Sequence, residues 1–167
     1  MSESNNPLIP PPEVVEAFTS AAITTLQELI QLEAFAETTD PAVTDFAGEV
    51  VLATVRLERS NPGMMTLVIE GEVAWQLASR YLPARSQLNK EIIDDVVGEF
   101  ANVIAGQAKT ILKGTPYHFL MSIPVVTRSD GIAASATIVP GAVLVASLGT
   151  EEGRVLVFAS VPSCPGG

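Results

Sequence analysis

Two polar side chains in the segment DDVVGEFANVIAGQAKTIL (94–112) could do chemistry together, the carboxylate of Glu99 and the carboxamide of Asn102. Residues three apart on a helix are neighbours on its surface. A carboxylate accepts hydrogen bonds, whereas an amide both donates and accepts them. Gly98 and Gly106 flank the pair, although each glycine costs a helix about 1 kcal/mol relative to alanine. The glycines therefore indicate either close packing against another helix or a flat patch that a partner's backbone or active site can approach.

A long amphipathic helix, predicted from about Asn89 to Lys113, must position this pair. Asn89 is a suitable N-cap, and Glu91 lies in the first turn, where a negative charge favours the helix. Gly114 and Pro116 are stop signals beyond the last turn. At about 100° per residue, apolar side chains fall within an arc of roughly 120°, which predicts a face buried on a sheet. The members of this stripe are Ile93, Val96, Val97, Phe100, Val103, Ile104 and Ile111.

The opposite side of the same helix is expected to face outward, and Glu99 lies at its border. Ala101 and Ala105, together with the glycines, are interpreted as flattening the surface around Asn102. Gln107 falls inside the apolar arc, so it is either hydrogen-bonded within the protein or marks the point where the stripe opens. The residues on the outward side are Asp95, Gly98, Asn102, Gly106, Lys109 and Lys113.

The remaining segments predict a mixed fold with strands grouped in hairpins. Two aliphatic runs around the turn SNPG, and two more around TEEG, are typical of β-hairpins. Such hairpins imply an antiparallel β-sheet with helices packed on one face, which is the α+β class. A single domain over 13–161, with tails at 1–12 and 162–167, accounts for the chain. The predicted elements are a helix at 13–32, strands at 50–59 and 64–72, helices at 73–82 and 89–113, a strand at 117–128, a weaker strand at 132–141, and strands at 142–149 and 154–161.

Composition and charge argue against several classes of protein. Nine Lys and Arg against nineteen Asp and Glu give a formal net charge of −10, and the basic residues are scattered. Because binding to a phosphate backbone needs clustered basic residues, we expect no nucleic-acid partner. No apolar run approaches the roughly 18 residues of a membrane span, so none is expected. The acidic, proline-rich start does not resemble an export signal, and the one cysteine, Cys164, allows no internal disulfide. We therefore expect a cytoplasmic protein.

Other polar and aromatic residues are interpreted as structural. His118 lies in an apolar strand pattern without acidic or cysteine neighbours, so a packed side chain is expected rather than a base or a ligand. Asp94 and Asp95 are adjacent on a helix, point about 100° apart and are expected to face water. No Cys or His spacing fits a metal, and no metal site is predicted. Trp75, at helical spacing from Leu82, is expected in the core.

The segment GEFANVIAGQAKTIL (98–112) resembles the signature of the CheC/CheX/FliY family of response-regulator phosphatases. That signature is Glu-x-x-Asn followed by a nearby Gly on a long helix, and Glu99, Asn102 and Gly106 occupy its positions. A hairpin and a short helix precede the long helix, as in CheX. The segment SIPVVTRSDG (122–131) resembles the CheX pattern of a proline-containing strand that leads into a glycine turn. In order of elements the resemblance covers roughly residues 13–161.

The resemblance implies a chemical activity. The family removes the phosphoryl group from the aspartate of phosphorylated CheY-like receiver domains. The receiver holds the phosphoaspartate and Mg²⁺, so no cofactor is expected on this chain. Asn102 would orient the attacking water, because an amide fixes a water without taking a charge. Glu99 would dock to the active-site lysine of the receiver. Asp95, Gly98 and Gly106 are the further binding candidates, the first for its charge and the glycines for clearance.

Departures from the family pattern define the alternatives. The first predicted helix has no Glu-x-x-Asn, so one site is expected, as in CheX. The signature is often preceded by Asp and then Ser or Thr. Here Asp95 follows Asp94, and this added charge is expected to alter partner preference more than chemistry.

A non-catalytic module that docks receivers or flagellar-switch-type partners is the alternative function. A homodimer is also expected, through pairing of edge strands such as 142–161.

Overall fold

Three helices and seven strands lie in the residues that the computed structural model describes, which are 10–37, 46, 48–59, 61–131 and 142–161. The predicted weaker strand at 132–141 and the predicted C-terminal tail, with Cys164, lie outside these residues. The elements are α1 (Pro12–Ile30), β1 (Phe35–Ala36), β2 (Glu49–Glu58), β3 (Gly63–Glu70), α2 (Gly71–Tyr81), α3 (Lys90–Ile111), β4 (Leu120–Met121), β5 (Val125–Asp130), β6 (Val143–Thr150) and β7 (Gly153–Ser160).

The seven described strands form one antiparallel sheet in the order β1, β6, β7, β3, β2, with β4 and β5 pairing in succession along the outer side of β2. Both predicted hairpins are confirmed, as β2–β3 and β6–β7. Gly153, the last residue of the turn TEEG and the first of β7, adopts a φ of +137°, a backbone conformation that favours glycine. The predicted α+β class is therefore confirmed.

The three described helices cover one face of the sheet. Val51, Ala53, Val55 and Leu57 of β2 join residues of all three helices in the larger apolar cluster. Side chains of alternate residues point to the other face, where a smaller buried cluster also forms. Because the central strands are buried on both faces, they are continuous apolar runs rather than alternating ones. The smaller cluster consists of Phe46, Val50, Leu52, Val68, Leu156 and Phe158.

The predicted helices are confirmed with shifts of one or two residues at their ends. The helix α1 already begins at Pro12, which the sequence places in the tail, because the fixed φ of proline suits the first helical turn. It ends before Gln31, which adopts a left-handed φ of 52°. At the start of α3 the side chain of Asn89 accepts a hydrogen bond of 2.9 Å from the backbone N–H of Ile92, as expected of an N-cap.

The predicted strand at 117–128 is wrong as a single strand. It is divided into β4 and β5. The second of these runs on to Asp130, so the expected glycine turn at the end of SIPVVTRSDG begins within a strand. Pro124 lies in the break between the two strands, since proline cannot donate to a ladder. The two-residue strand β1 is not predicted either, because a segment this short carries no periodic signal.

Within the described residues, the strands 142–161 are an edge of the sheet only in part, which bears on the expected dimer. The strand β7 lies between β3 and β6. On its outer side β6 pairs with β1, and Ser147 accepts a hydrogen bond of 2.7 Å from the backbone N–H of Glu37. The carbonyl of Val145 also accepts a hydrogen bond of 3.2 Å from the hydroxyl of Thr19. The homodimer through these strands stays a prediction, and among the described residues the part of β6 before Ser147 has no strand paired to its outer side.

Burial of the helices departs from the helical wheel in a few places. Five members of the apolar stripe of α3 are buried, whereas Val103 is half-buried and Ile111, the last residue of the helix, is 48% exposed. Trp75 is 47% exposed on α2, so its expected place in the core is wrong.

In the part of the chain that the structure describes, no helix combines the length and the apolar character needed to cross a bilayer.

Candidate functional site

A groove with a volume of about 520 Å³ runs along α3, and the predicted site residues lie on it. One wall is formed by Asp94, Asp95, Gly98, Glu99 and Asn102. The facing wall is formed by the break between β4 and β5 and its neighbours, which are Met121, Ser122, Ile123, Pro124 and Val126. The structure therefore brings together four of the five predicted site residues and leaves Gly106 outside the groove.

The polar pair itself is accessible. The side chains of Glu99 and Asn102 are exposed, as is that of Asp95 one helical turn before Glu99. None of the three has a hydrogen bond or an ion pair with another described residue. A partner that enters the groove can thus meet a free carboxylate and a free carboxamide on one surface, without first breaking a contact.

Gly98 is a packing residue, which corrects its expected place on the outward side. It is buried, and a Cβ atom at this position would lie 3.2 Å from Cγ2 of Val126. Such a distance is shorter than ordinary van der Waals contact, so the absence of a side chain allows α3 to lie directly against β5. The helical wheel places Gly98 outward because it contains no information about a strand that approaches the helix from the side.

The two alanines beside the pair are also packing residues. Ala101 and Ala105 are fully buried in the cluster that includes α1, rather than flattening an exposed surface around Asn102. Close packing, one of the two interpretations of the small residues, therefore applies to them. Gln107 lies at the edge of this contact, where its Nε2 donates a hydrogen bond of 3.4 Å to Oε1 of Glu28 on α1.

Gly106 has different surroundings. A Cβ atom here would have no described atom within 4 Å, apart from those of the two adjacent residues and of the backbone of the same helix. The residue is half-buried, and its carbonyl accepts a hydrogen bond of 3.2 Å from the hydroxyl of Thr110. Packing within the described chain thus gives no reason for a glycine at this position.

An ion-pair network fixes the first turns of α3 to the sheet beside the groove. Nε of Arg128 on β5 donates a hydrogen bond of 2.8 Å to Oδ1 of Asp94, and its Nη1 donates one of 2.9 Å to Oε1 of Glu49 on β2. Nζ of Lys90 lies 3.3 Å from the same Glu49 oxygen. The expectation that Asp94 and Asp95 both face water is therefore wrong for Asp94, whose charge is paired.

The same network lowers the pKa of the Glu49 carboxyl below its ordinary value of 4.5. Partial desolvation acts in the opposite direction and favours the neutral acid. The hydrogen bonds from Arg128 and Lys90, together with their positive charges, outweigh this effect. Glu49 is thus held as a carboxylate that bridges the helix and the sheet.

The wall opposite Glu99 and Asn102 is the part of the site that sequence reasoning missed. Ile123 is 83% exposed, although isoleucine is among the most often buried residue types. A signal for it was present, because Pro124 interrupts an otherwise apolar strand pattern. The signal indicates a break in the strand, but it does not indicate that the break faces α3.

No metal centre is evident around this groove. Within the described residues, no three or more His, Cys, Asp and Glu side chains are grouped so that they could hold a metal ion. His118 is half-buried and serves the fold through its backbone carbonyl, which accepts a hydrogen bond of 3.2 Å from Nε of Arg59.

Solved structures of similar fold come from several bacteria. The chemotaxis protein CheX of Vibrio vulnificus matches with a TM-score of 0.73 and 22% sequence identity, over 95% of this chain and 100% of that one. CheX of Desulfovibrio desulfuricans matches with a TM-score of 0.74 and 19% identity, over 90% and 99%. A complex of CheX with CheY, BeF3 and Mg²⁺ from Borrelia burgdorferi matches with a TM-score of 0.63 and 18% identity, over 90% and 98%. A comparison with curated proteins gave no match.

The family itself is identified by sequence. A family model described as chemotaxis phosphatase CheX matches residues 51–145, from β2 through α3 and into β6. This range contains both walls of the groove and covers more than half of the 167 residues. The chain therefore belongs to the CheX family.

Proposed function

We propose that this protein accelerates hydrolysis of the phosphoaspartate of a CheY-like receiver domain. The observation that carries the proposal is the accessible pair of Glu99 and Asn102 on the groove of a CheX-family chain, with no internal partner for either side chain among the described residues. The fold of the Borrelia burgdorferi protein, solved together with CheY, BeF3 and Mg²⁺, supports a receiver as the partner.

The proposed role of Asn102 is to hold the attacking water. The water oxygen bonds to phosphorus, the bond from phosphorus to the aspartate oxygen breaks, and the products are the free carboxylate and inorganic phosphate. Phosphoryl transfer needs positioning and charge stabilisation more than covalent chemistry from the protein. The carboxamide can accept a hydrogen bond from the water and donate one to a phosphoryl oxygen, which places the water in line. The amide stays neutral throughout.

The proposed role of Glu99 is docking. Its carboxylate lies one helical turn before Asn102, so a cation on the receiver that pairs with it fixes where the amide enters the phosphorylation pocket. The receiver's active-site lysine is the group we expect there. Asp95, four residues before Glu99, adds a second negative charge to the same wall and strengthens the attraction for a cationic partner surface. Mg²⁺ belongs to the receiver in this scheme.

The test is the rate of phosphate loss from receivers of the same genome, measured with the parent protein and with Asn102→Ala. Loss of one positioned polar group is expected to reduce the acceleration about 100- to 1,000-fold. Gln76→Ala is a matched control, because it removes an exposed amide from α2, away from the groove. Circular dichroism and thermal unfolding check that both variants fold. A fully active Asn102→Ala protein would contradict the proposed role of the amide.

A non-catalytic docking module is the second candidate, and the exposed apolar side chain of Ile123 on the wall opposite Glu99 favours it. A receiver can bind Glu99 and Ile123 whether or not Asn102 acts on a water. The two functions differ in one measurement. If saturating protein binds a phosphorylated receiver without shortening the lifetime of its phosphate, the module is correct and the phosphatase is not.

A further inference from the structure

The two walls of the groove differ in chemistry. The α3 wall presents Asp95, Glu99 and Asn102, which are exposed and polar. On the opposite wall the side chains are apolar, apart from Ser122. We call this the apolar wall, and it consists of Met121, Ile123, Pro124 and Val126.

Ile123 dominates the apolar wall, since it is 83% exposed while the other three are half-buried. We propose that Ile123 anchors the receiver domain, by packing against an apolar side chain that lies beside the receiver's phosphorylation pocket. This inference rests on the proposed function and names a determinant of affinity that acts separately from the water-positioning amide.

The segment that carries Ile123 is held in place before any partner arrives. The backbone N–H of Ser122 donates a hydrogen bond of 3.0 Å to the carbonyl of Arg56, and the backbone N–H of Arg56 donates one of 3.0 Å to the hydroxyl of Ser122. Pro124 fixes the backbone on the other side of Ile123. An apolar side chain presented on a fixed backbone loses little entropy on binding, so most of its burial contributes to affinity.

Charge on the facing wall identifies the kind of partner. Asp95 and Glu99 are four residues apart on a helix, where like charges repel, and no described residue neutralises either one. A partner with a cation opposite Glu99 relieves this repulsion. The groove therefore fits a protein surface that combines a cationic group and an apolar side chain, and we assign it to the receiver domain.

Val125 provides a matched control two residues from Ile123. It is 64% exposed, but it pairs with Thr54, whereas Val126 pairs with Ala53, which belongs to the helix-side cluster. Since alternate residues of a strand point to opposite faces, Val125 points away from the groove. Val125→Ser therefore removes exposed apolar surface, as Ile123→Ser does, but on the face of the sheet that points away from the groove.

The experiment measures the Kd for a receiver carrying BeF3 and Mg²⁺, together with the KM and kcat for dephosphorylation. Ile123→Ser is expected to raise Kd and KM about 10- to 100-fold at unchanged kcat, as burial of one aliphatic side chain implies. Ile123→Val should restore most of the affinity, and Val125→Ser should bind as the parent does. Asn102→Ala is expected to lower kcat at little cost in Kd.

Other outcomes separate the two proposals. If the parent binds the receiver without accelerating hydrolysis, and Ile123→Ser binds weakly, the anchor stands and the phosphatase proposal fails. If Ile123→Ser binds as tightly as the parent, the anchor is wrong while catalysis is unaffected. A change of solution mass in Ile123→Ser by light scattering, with unchanged receiver binding, would mean that a second copy of the chain covers this wall, and would overturn the inference. Failure of the parent to bind any receiver from the same genome overturns it as well.

Discussion

The helix α3 contains two interior glycines, Gly98 and Gly106, and their surroundings differ. At Gly98 a Cβ atom would lie 3.2 Å from a methyl group of Val126, and the residue is buried on the side of α3 that faces β5. At Gly106 a Cβ atom would meet no other described atom within 4 Å. Both residues lower the intrinsic helix propensity by the same amount, about 1 kcal/mol relative to alanine. Only at Gly98 does the missing side chain allow a close contact with another element.

This difference shows which part of the helix determines the geometry of the groove. Close to Gly98, Val126 and the ion pair between Arg128 and Asp94 hold α3 against β5, and the groove opens directly beside this contact. The distance between its two walls therefore depends on the contact at Gly98. At Gly106 no described neighbour requires a glycine. Either a partner outside the described chain requires it, or the helix merely tolerates it.

The largest effect is expected from Gly98→Leu. A leucine at this position must displace Val126 or move α3 away from β5, and such overpacking costs about 1–3 kcal/mol. Urea unfolding should show this loss of stability, and the widened groove should also weaken receiver binding. Gly106→Leu is the matched control, because a Cβ atom at this position meets no other described atom within 4 Å, and it is expected to lower the unfolding free energy less than Gly98→Leu does. Equal stabilities of the two variants would contradict the contact inferred at Gly98.

Much of the fold that supports this contact could be predicted from the sequence. Several signals are local, because each affects only the backbone within a few residues of it. They are the cap at Asn89, the stop signals at Gly114 and Pro116 and the two turn sequences. The apolar stripe likewise predicts which side of α3 packs on the sheet. These features depend on neighbours in sequence, so a single sequence is enough to identify them.

The shape of the site could not be predicted in the same way. The burial of Gly98 and the pairing of Asp94 both depend on β5, which lies about thirty residues further along the chain. The sequence indicated that Glu99 and Asn102 share a surface, and the structure agrees. It did not indicate that Ile123 faces them, because that placement results from the pairing of two short strands with β2.

A smaller effect of opposite sign is expected from Gly106→Ala. Alanine should raise the unfolding free energy by up to about 1 kcal/mol, since it improves helix propensity and meets no neighbour. If the glycine gives clearance to the receiver, the same variant should bind it several-fold more weakly. Thermal unfolding and receiver Kd, measured together, test both statements. Higher stability with unchanged binding would show that Gly106 is only tolerated there.

The smallest effect concerns the ion-pair network beside Gly98, and it depends on pH. Since the pKa of Glu49 in the folded protein is lowered from 4.5, its ion pairs contribute stability that is fully present above that value and is lost as the pH falls through the lowered value. The melting temperature of Glu49→Gln should therefore lie below that of the parent near neutral pH, and the two should converge in acid. Glu33→Gln removes an exposed carboxylate that lies outside the described helices and makes no ion pair in the described part of the chain, so it reports the effect of net charge. If the melting temperatures of the parent and Glu49→Gln still differ at pH values where the Glu49 carboxyl of the parent is protonated, the network does not hold α3 to the sheet through this charge.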